Sequence, residues 1–365
     1  MQMDFFPSRT LTLYLARLFF TRIVAVLIML VLVLQTLDLL GESGDILAYP
    51  GNGQAQLLYY VSLRLPQLVA RFLPYSVLLA TIFTLATLNQ NSEVVAMKSA
   101  GLSAHQVLAP LILTAALFSL FSFGFNERVV TRATATLDAW DKADYGPIPK
   151  DSGVRTNVYL TDGHNLLLAR SVAGVGEAMT MTGVTWYRRD ATGMIVEKVQ
   201  SPRATHGAAG WTLEQPVRFR VADSSTAALA PLVVGPELTP EKVSLASVDA
   251  DEQNIVTLWA TIGKMREAGR RTDALESVWW HKISGPLSSV LMPLLGAIAA
   301  FGLARSGQLL IRAVIGMALG FAYFVIDNAA LAMGSFGGYP PMVAAWAPFI
   351  LFALIGEAVL VRTEE

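Results

Sequence analysis

The chain has 365 residues, 53% of them apolar and only 15% charged, with a mean hydropathy of +0.49 and a formal net charge of −1. This balance excludes an ordinary soluble domain, and the scattered basic residues exclude a nucleic-acid-binding stripe. Without any cysteine, disulfides, thiolate zinc sites and thiol nucleophiles are also excluded.

A bilayer core takes roughly 20 apolar helical residues. The first run that long, 13–37, exceeds a signal-peptide core and has no small-residue cleavage site after it, so it reads as a retained anchor. Further runs at 65–88, 107–125, 283–303, 309–333 and 342–361 bring the expectation to about six spans. Pro74 and Pro293 fall inside two of them. Under that alternation Arg9, Arg17, Arg22, Lys98, Arg305, Arg312 and Arg362 fall on one side, which the positive-inside bias makes cytoplasmic. Both termini are then cytoplasmic, and the long segment between the third and fourth spans is outside. Tyr59, Tyr60, Trp279, Trp280 and Tyr339 sit where an outer aromatic belt is expected.

Between the second and third spans, "NSEVVAMKSAG" predicts a helix of about two turns from Ser92 to Ser99, with Ser92 as N-cap and Gly101 as the stop. Such a segment is too short to stand alone. It either joins two spans or presents Glu93 and its neighbours to a partner.

The long outside segment alternates in short runs, with turn residues at intervals of about ten. "VYLTDGHNLLLA" predicts a hairpin around Asp162 and Gly163, and "MTMTGVTWYRRDATGMIVEKV" a second around Asp190 to Gly193. In "VRFRV", Val217, Phe219 and Val221 point one way and Arg218 and Arg220 the other. A helix is expected over 251–268, closed by Gly269, and Asp273 with Glu276 forms a start signal for the fourth span.

Catalytic motifs are not expected. His105, His164, His206 and His281 are scattered without metal-ligand spacing and read as ordinary surface or interface residues; no Walker A sequence and no G-x-S-x-G elbow occurs. The expectation is a non-enzymatic chain with no metal and no cofactor of its own. Any energy would come from a partner.

"NSEVVAMKSAG", "WHKISGPLS", "RAVIGMALGFAYFVIDN" and "GYPPMVAAWAPF" together resemble the LptF/LptG family, permease subunits of the lipopolysaccharide-export transporter, over nearly the whole chain. Arg312 with "GFAYFVIDN" and the "GYPP" loop look more like the G type than the F type. The resemblance implies a membrane α-helical permease of about six transmembrane helices with an inserted periplasmic all-β jelly-roll domain. Residues 1–135 would hold the first three spans, with a coupling helix at 91–102; 136–270 the jelly roll and a connecting helix; and 271–365 the last three spans. Implied partners are an LptF-like permease subunit, an LptB-like ATPase dimer that binds ATP and Mg, an LptC-like single-span protein and an LptA-like periplasmic bridge. The cargo would be lipopolysaccharide, and the location the bacterial inner membrane. An F-type subunit, or a membrane-anchored periplasmic scaffold or sensor, are the alternative readings.

Site residues follow from this. Ser92, Glu93, Val94, Met97 and Lys98 are the expected ATPase contact. Headgroup phosphates call for cations near the outer span ends, where Arg64, Arg71, Arg128, Arg132 and Lys282 are the candidates. Acyl chains require a continuous apolar surface, and the Val217, Phe219 and Val221 face with Trp211 and Leu213 is the candidate slide, unless these residues fill a sandwich core. Family G subunits carry lysines at the outer end of the first span, whereas this chain has Asp38, Glu42 and Asp45. Asp38, Glu42 and the intramembrane Asp327 are candidates for a gate or partner contact.

Overall fold

The structure, a computed structural model, describes residues 6–141, 143–147, 155–162, 165–174, 176–190, 192–207, 209–245, 249–267, 269–300 and 309–364. In chain order the first elements are α1 (Arg9–Ala48), α2 (Gln54–Gln90), α3 (Glu93–Ser99), α4 (Ala104–Phe125), a π-helical turn (Asn126–Val130) and α5 (Thr131–Asp141). The strands are β1 (Arg155–Asp162), β2 (Asn165–Ala173), β3 (Thr180–Arg189), β4 (Ile195–Gly207), β5 (Gly210–Glu214), β6 (Val217–Arg220), β7 (Thr226–Ala228) and β8 (Leu232–Val234). The chain ends with α6 (Pro240–Leu245), α7 (Ile255–Glu267), α8 (Asp273–Ala300), α9 (Leu309–Ser335) and α10 (Pro341–Glu364). Two compact units result: a helical unit of Met1–Leu47, Asn52–Ala135 and Ala250–Glu365, and a β unit of Ala48–Gly51 and Thr136–Asp249.

Among the described residues, five helical stretches are long and apolar enough to cross a membrane: Arg9–Ala48, Gln54–Gln90, Ala104–Asp141, Val314–Ser335 and Pro341–Arg362. The expected fourth span, 283–303, falls on α8 as far as Ala300; residues 301–303 lie outside the described residues, as does Arg305. α8 packs against α2, α4, α9 and α10. Surrounded in this way, it tolerates the buried polar residues Ser277, Lys282, Ser284, Ser288 and Ser289. α2 runs through both Pro66 and Pro74 without a break.

One apolar cluster joins the helices. It takes Leu15, Phe19 and Ile23 from α1, Val77, Leu78 and Leu85 from α2, Leu108 and Leu111 from α4, Leu291 and Leu295 from α8, Tyr323 from α9 and Phe352 from α10. Close approach of α2 to its neighbours depends on small residues. A Cβ at Gly296 would stand 2.7 Å from the Thr81 side chain, and one at Gly320 would collide with Leu78.

The β unit is built on one eight-stranded antiparallel sheet in the order β1-β2-β3-β4-β5-β8, with β6 on β4 and β7 on β6. β4 is 13 residues long and serves two partners: Arg203 to Gly207 pair with β5, Glu197 to Gln200 with β6. Period-two alternation sets the buried positions within each end of the sheet, but the phase changes between 169 and 172 on β2, 181 and 184 on β3, and 201 and 204 on β4, so the two ends bury opposite sides of the pleat. Leu160, Leu167 and Val199 are buried at one end, and Ala204, Trp211, Leu213 and Val234 at the other. Trp211 is fully buried, and its indole Nε1 donates to the Leu238 carbonyl at 2.7 Å.

Both expected hairpins form. In the first, Asp162 pairs with Asn165; Gly163, at its tip, and His164 lie outside the described residues. In the second, Asp190 Oδ1 accepts from the Thr192 hydroxyl at 2.6 Å, the Thr192 N–H at 2.9 Å and the Met194 N–H at 3.0 Å. The Thr192 hydroxyl, then the Met194 N–H, hold the Asp190 carboxyl below its ordinary value. A depressed carboxyl contributes stability above its unfolded pKa and loses it as pH falls through the folded one. The expected result is a carbon-13 titration of Asp190 with a midpoint below that of an unstructured aspartate, moving up in Thr192→Val. Equal midpoints in the two proteins would remove the hydroxyl from the account.

The start of α8 differs from expectation, and the glycine stop after α7 agrees with it. Thr272, not Asp273, precedes α8, with its hydroxyl on the Glu276 carboxylate, while Asp273 pairs with Arg271 at 3.1 Å. At the end of α7, Gly269 adopts φ +67, and the Arg270 N–H reaches the Met265 carbonyl at 2.9 Å.

Candidate functional site

Within the helical unit α2, the π turn, α8 and α9 enclose a cavity of about 750 Å³. Arg64, Arg71, His281 and Lys282 line it against two carboxylates, Asp251 and Asp327. Its polarity is set by how each charge is already engaged.

Lys282 is 7% exposed, and its Nζ stands 3.8 Å from Glu127 Oε1, an oxygen with no hydrogen-bond partner among the described residues. This is a charge contact without a hydrogen bond. The other carboxylate oxygen of Glu127 accepts from the Ile255 N–H at the start of α7. The π turn carries Glu127, and with Asn126 and Val130 it forms part of the cavity wall.

Arg64, a headgroup candidate, is engaged within the chain. Its Nε and Nη2 form a fork on Asp38 at 3.0 and 2.8 Å, its Nη1 holds Gln67 at 2.7 Å, and the Tyr60 hydroxyl donates to Asp38 at 2.6 Å. The guanidinium is spent inside the chain, and the acidic end of α1 finds its base on α2. Glu42 adds its charge to the same corner. Arg71 is exposed, lines the cavity and has no ion pair among the described residues. Arg128, on the π turn, and Arg132, at the start of α5, are exposed and do not line it.

Asp327 is buried, and its Oδ2 lies 3.0 Å from His281 Nε2, which ties α9 to α8 on the cavity wall. The expectation that every histidine is an ordinary surface or interface residue is corrected here. His105 on α4 likewise meets Glu357 on α10 at 2.8 Å.

The short helix α3 is also rearranged. Ser92 precedes it at φ 59 with no side-chain cap, a correction to its expected N-cap role; the N–H of Ala96 reaches the Ser92 carbonyl at 3.0 Å. Gly101, at φ +90, closes the helix: its N–H bonds the Lys98 carbonyl at 3.0 Å, and the Leu102 N–H the Met97 carbonyl at 3.1 Å. Val94 and Met97 are buried in the apolar cluster of the helices, so they anchor α3 and cannot form its outer contact. The exposed face is Ser92, Val95, Ala96 and Ser99, with Lys98 half-buried. Glu93 accepts from the Tyr14 hydroxyl of α1 at 3.0 Å, an intrachain tie from α3 to the first span.

In the β unit, the slide surface divides. Trp211 and Leu213 lie in the core, whereas Val217, Phe219 and Val221 are exposed. Register gives the reason: Arg218 pairs with Val199 and Arg220 with Glu197, so the arginines of β6 share the core side, and Val217 and Phe219 share the opposite side with Gln200 and Lys198. Glu197, nearly buried, draws Arg188 to 2.9 Å and Arg218 and Arg220 to 3.8 and 3.9 Å. That attraction keeps the arginines on the inner face.

Apolar helices able to cross a bilayer, a charged cavity between them and an all-β unit inserted within the helical sequence define a multi-pass membrane permease. The family model for the lipopolysaccharide export system permease LptF/LptG matches residues 13–362, and the chain belongs to that family. It is 26% identical to the lipopolysaccharide export system permease protein LptG of Escherichia coli K12 over 369 residues, 98% of this chain and 99% of that protein. To the LptG protein of Haemophilus influenzae it is 25% identical over 305 residues, 82% of this chain and 84% of that one.

Sequence reasoning missed the His281–Asp327 pair, the Asp38–Arg64 fork and the π turn. The paired residues lie 46 and 26 positions apart, so no local periodicity joins them.

Proposed function

We propose that the chain is the G-type permease subunit of an ATP-driven exporter that lifts lipopolysaccharide out of the inner membrane and passes it to a periplasmic bridge. The cavity carries this reading: a membrane-embedded space of about 750 Å³ in which Arg71 and the buried Lys282 offer positive charge to a phosphorylated headgroup. An F-type permease subunit would complete the cavity, and a single-span protein would adjoin it. ATP and Mg would be bound by a cytoplasmic ATPase dimer.

Both termini then face the cytoplasm and the β unit the periplasm. The exposed face of α3 would meet the ATPase. Val94 and Met97 would transmit its displacement into the helix core, and the Glu93–Tyr14 bond would carry part of it to α1.

A photocrosslinking residue in place of Leu331, on the cavity wall, tests this in cells. The expected result is an adduct with lipopolysaccharide whose yield depends on ATPase turnover. An adduct with ordinary phospholipid alone, at every level of turnover, would overturn the export reading. Glu93→Gln is expected to leave the complex assembled while lowering the yield, because the amide keeps an acceptor for Tyr14 but lacks the charge. An unchanged yield would remove the Glu93 charge from coupling.

A further inference from the structure

α7 brings the chain back from the inserted segment to α8, and its surface falls into three sectors. Leu258, Ile262 and Met265 are buried, and the first two pack with Leu275, Val278 and Trp279 of α8. Thr257, Thr261 and Lys264 follow one another along a polar flank. The remaining flank begins apolar, with Ile255, Val256, Trp259 and Gly263, and ends in Arg266; on it Val256 is 75% and Trp259 50% exposed.

This open flank continues onto α8, which packs against the bilayer-crossing helices α2, α4, α9 and α10. The Trp259 ring lies 4.8 Å from that of Trp279, and Trp279 lies 4.8 Å from Trp280, so three indoles run from α7 onto the start of α8. Trp279 Nε1 donates to the Ile255 carbonyl at 3.0 Å, which fixes the two helices together at that corner. Indoles concentrate where an apolar ring can be buried while polar atoms stay near water, as at a membrane–water boundary. Mostly basic residues gather towards the other end of α7: Lys264 and Arg266, with the acid Glu267, and Arg270 just beyond the helix; Arg266 pairs with Glu276 at 2.8 Å. A helix with an apolar flank, tryptophan and a basic end suits a bilayer surface carrying acidic headgroups.

We propose that α7 lies in the plane of the membrane interface, with Val256 and Trp259 dipped into the boundary between headgroups and acyl chains and the Lys264 flank turned to water and headgroup phosphate. It thereby sets the depth at which the returning chain enters α8. The occupant of the flank is lipid, because the flank is continuous with a helix of the transmembrane unit and its aromatic and basic residues match an anionic interface. This inference stands whether or not the transport reading holds.

The chain has no cysteine, so single spin labels can be placed without background. Val256→Cys, Trp259→Cys and Lys264→Cys would be labelled in the full chain in phosphatidylethanolamine–phosphatidylglycerol vesicles, and collisions with oxygen and with a water-soluble nickel chelate compared. Labels at 256 and 259 are expected to collide more with oxygen than with the chelate, and the label at 264 the reverse. Raising the phosphatidylglycerol fraction should move the label at 256 deeper. Preference for the chelate at all three positions would overturn the proposal. So would a label at 256 shielded from both reagents, because protein would then cover the flank. A depth indifferent to phosphatidylglycerol would overturn the anionic-headgroup assignment.

Discussion

Trp211→Ala is expected to cost about 3–5 kcal/mol, the range for removing a large aromatic side chain from a packed core. Domain stabilities of about 5–15 kcal/mol make that a large share of what holds the β unit together. Trp211 is fully buried among Leu213, Val234 and Leu238, and its loss also leaves the Leu238 carbonyl without its 2.7 Å donor. Limited proteolysis of the full chain checks the result: cleavage should begin within 155–234 while the helical unit stays intact. Trp211→Phe keeps most of the volume and lacks the N–H, so it should fall between wild type and alanine. An alanine variant as resistant as wild type would mean that the sheet does not depend on this core residue.

Lys282→Met should cost roughly 3 kcal/mol, because it strands Glu127 as a buried carboxylate beside a side chain that offers no charge. The double variant Lys282→Met, Glu127→Gln removes both charges and retains an acceptor for the Ile255 N–H, and is expected to recover most of that loss. Thermal unfolding in detergent measures both. If the single and double variants unfold alike, the 3.8 Å contact contributes no coupling. The pair of variants also separates stability from function: a refolded double variant that gives no lipopolysaccharide adduct at position 331 would assign Lys282 to headgroup capture, and one with normal yield would leave that role to Arg71.

Two of the ion pairs at the cavity, His281–Asp327 and Arg64–Asp38, show why such a site is hard to read from a one-dimensional pattern. Asp327 stands out in the sequence because a carboxylate in a span is costly, about 2.5–3.5 kcal/mol on insertion scales, but nothing in its own helix names a partner. Packing of α9 on α8 supplies His281. Asp38 reads as an unexpected acid at the outer end of the first span and Arg64 as a candidate headgroup cation; their ion pair between α1 and α2 makes them one feature. For α3 the local signals were partly sound. The Gly101 stop forms as the residue type predicts, while Val94 and Met97 turn inward because the adjoining spans offer them an apolar core.

By itself the sequence determined what depends on short-range chemistry. Apolar runs of bilayer length place the long helices, period-two alternation and turn residues place the hairpins at Asp162 and Asp190, and assembled motifs point to the family. Tertiary structure decided what depends on which surfaces meet. It assigned the arginines of β6, not its valines and phenylalanine, to the inner side, since Glu197 on β4 attracts Arg188, Arg218 and Arg220 there. It also left Lys282 with a distant counter-ion and Arg64 with a close one. Alternation gives two faces but not which is inner, and charge gives a sign but not a partner; both are fixed only when strands and helices pack.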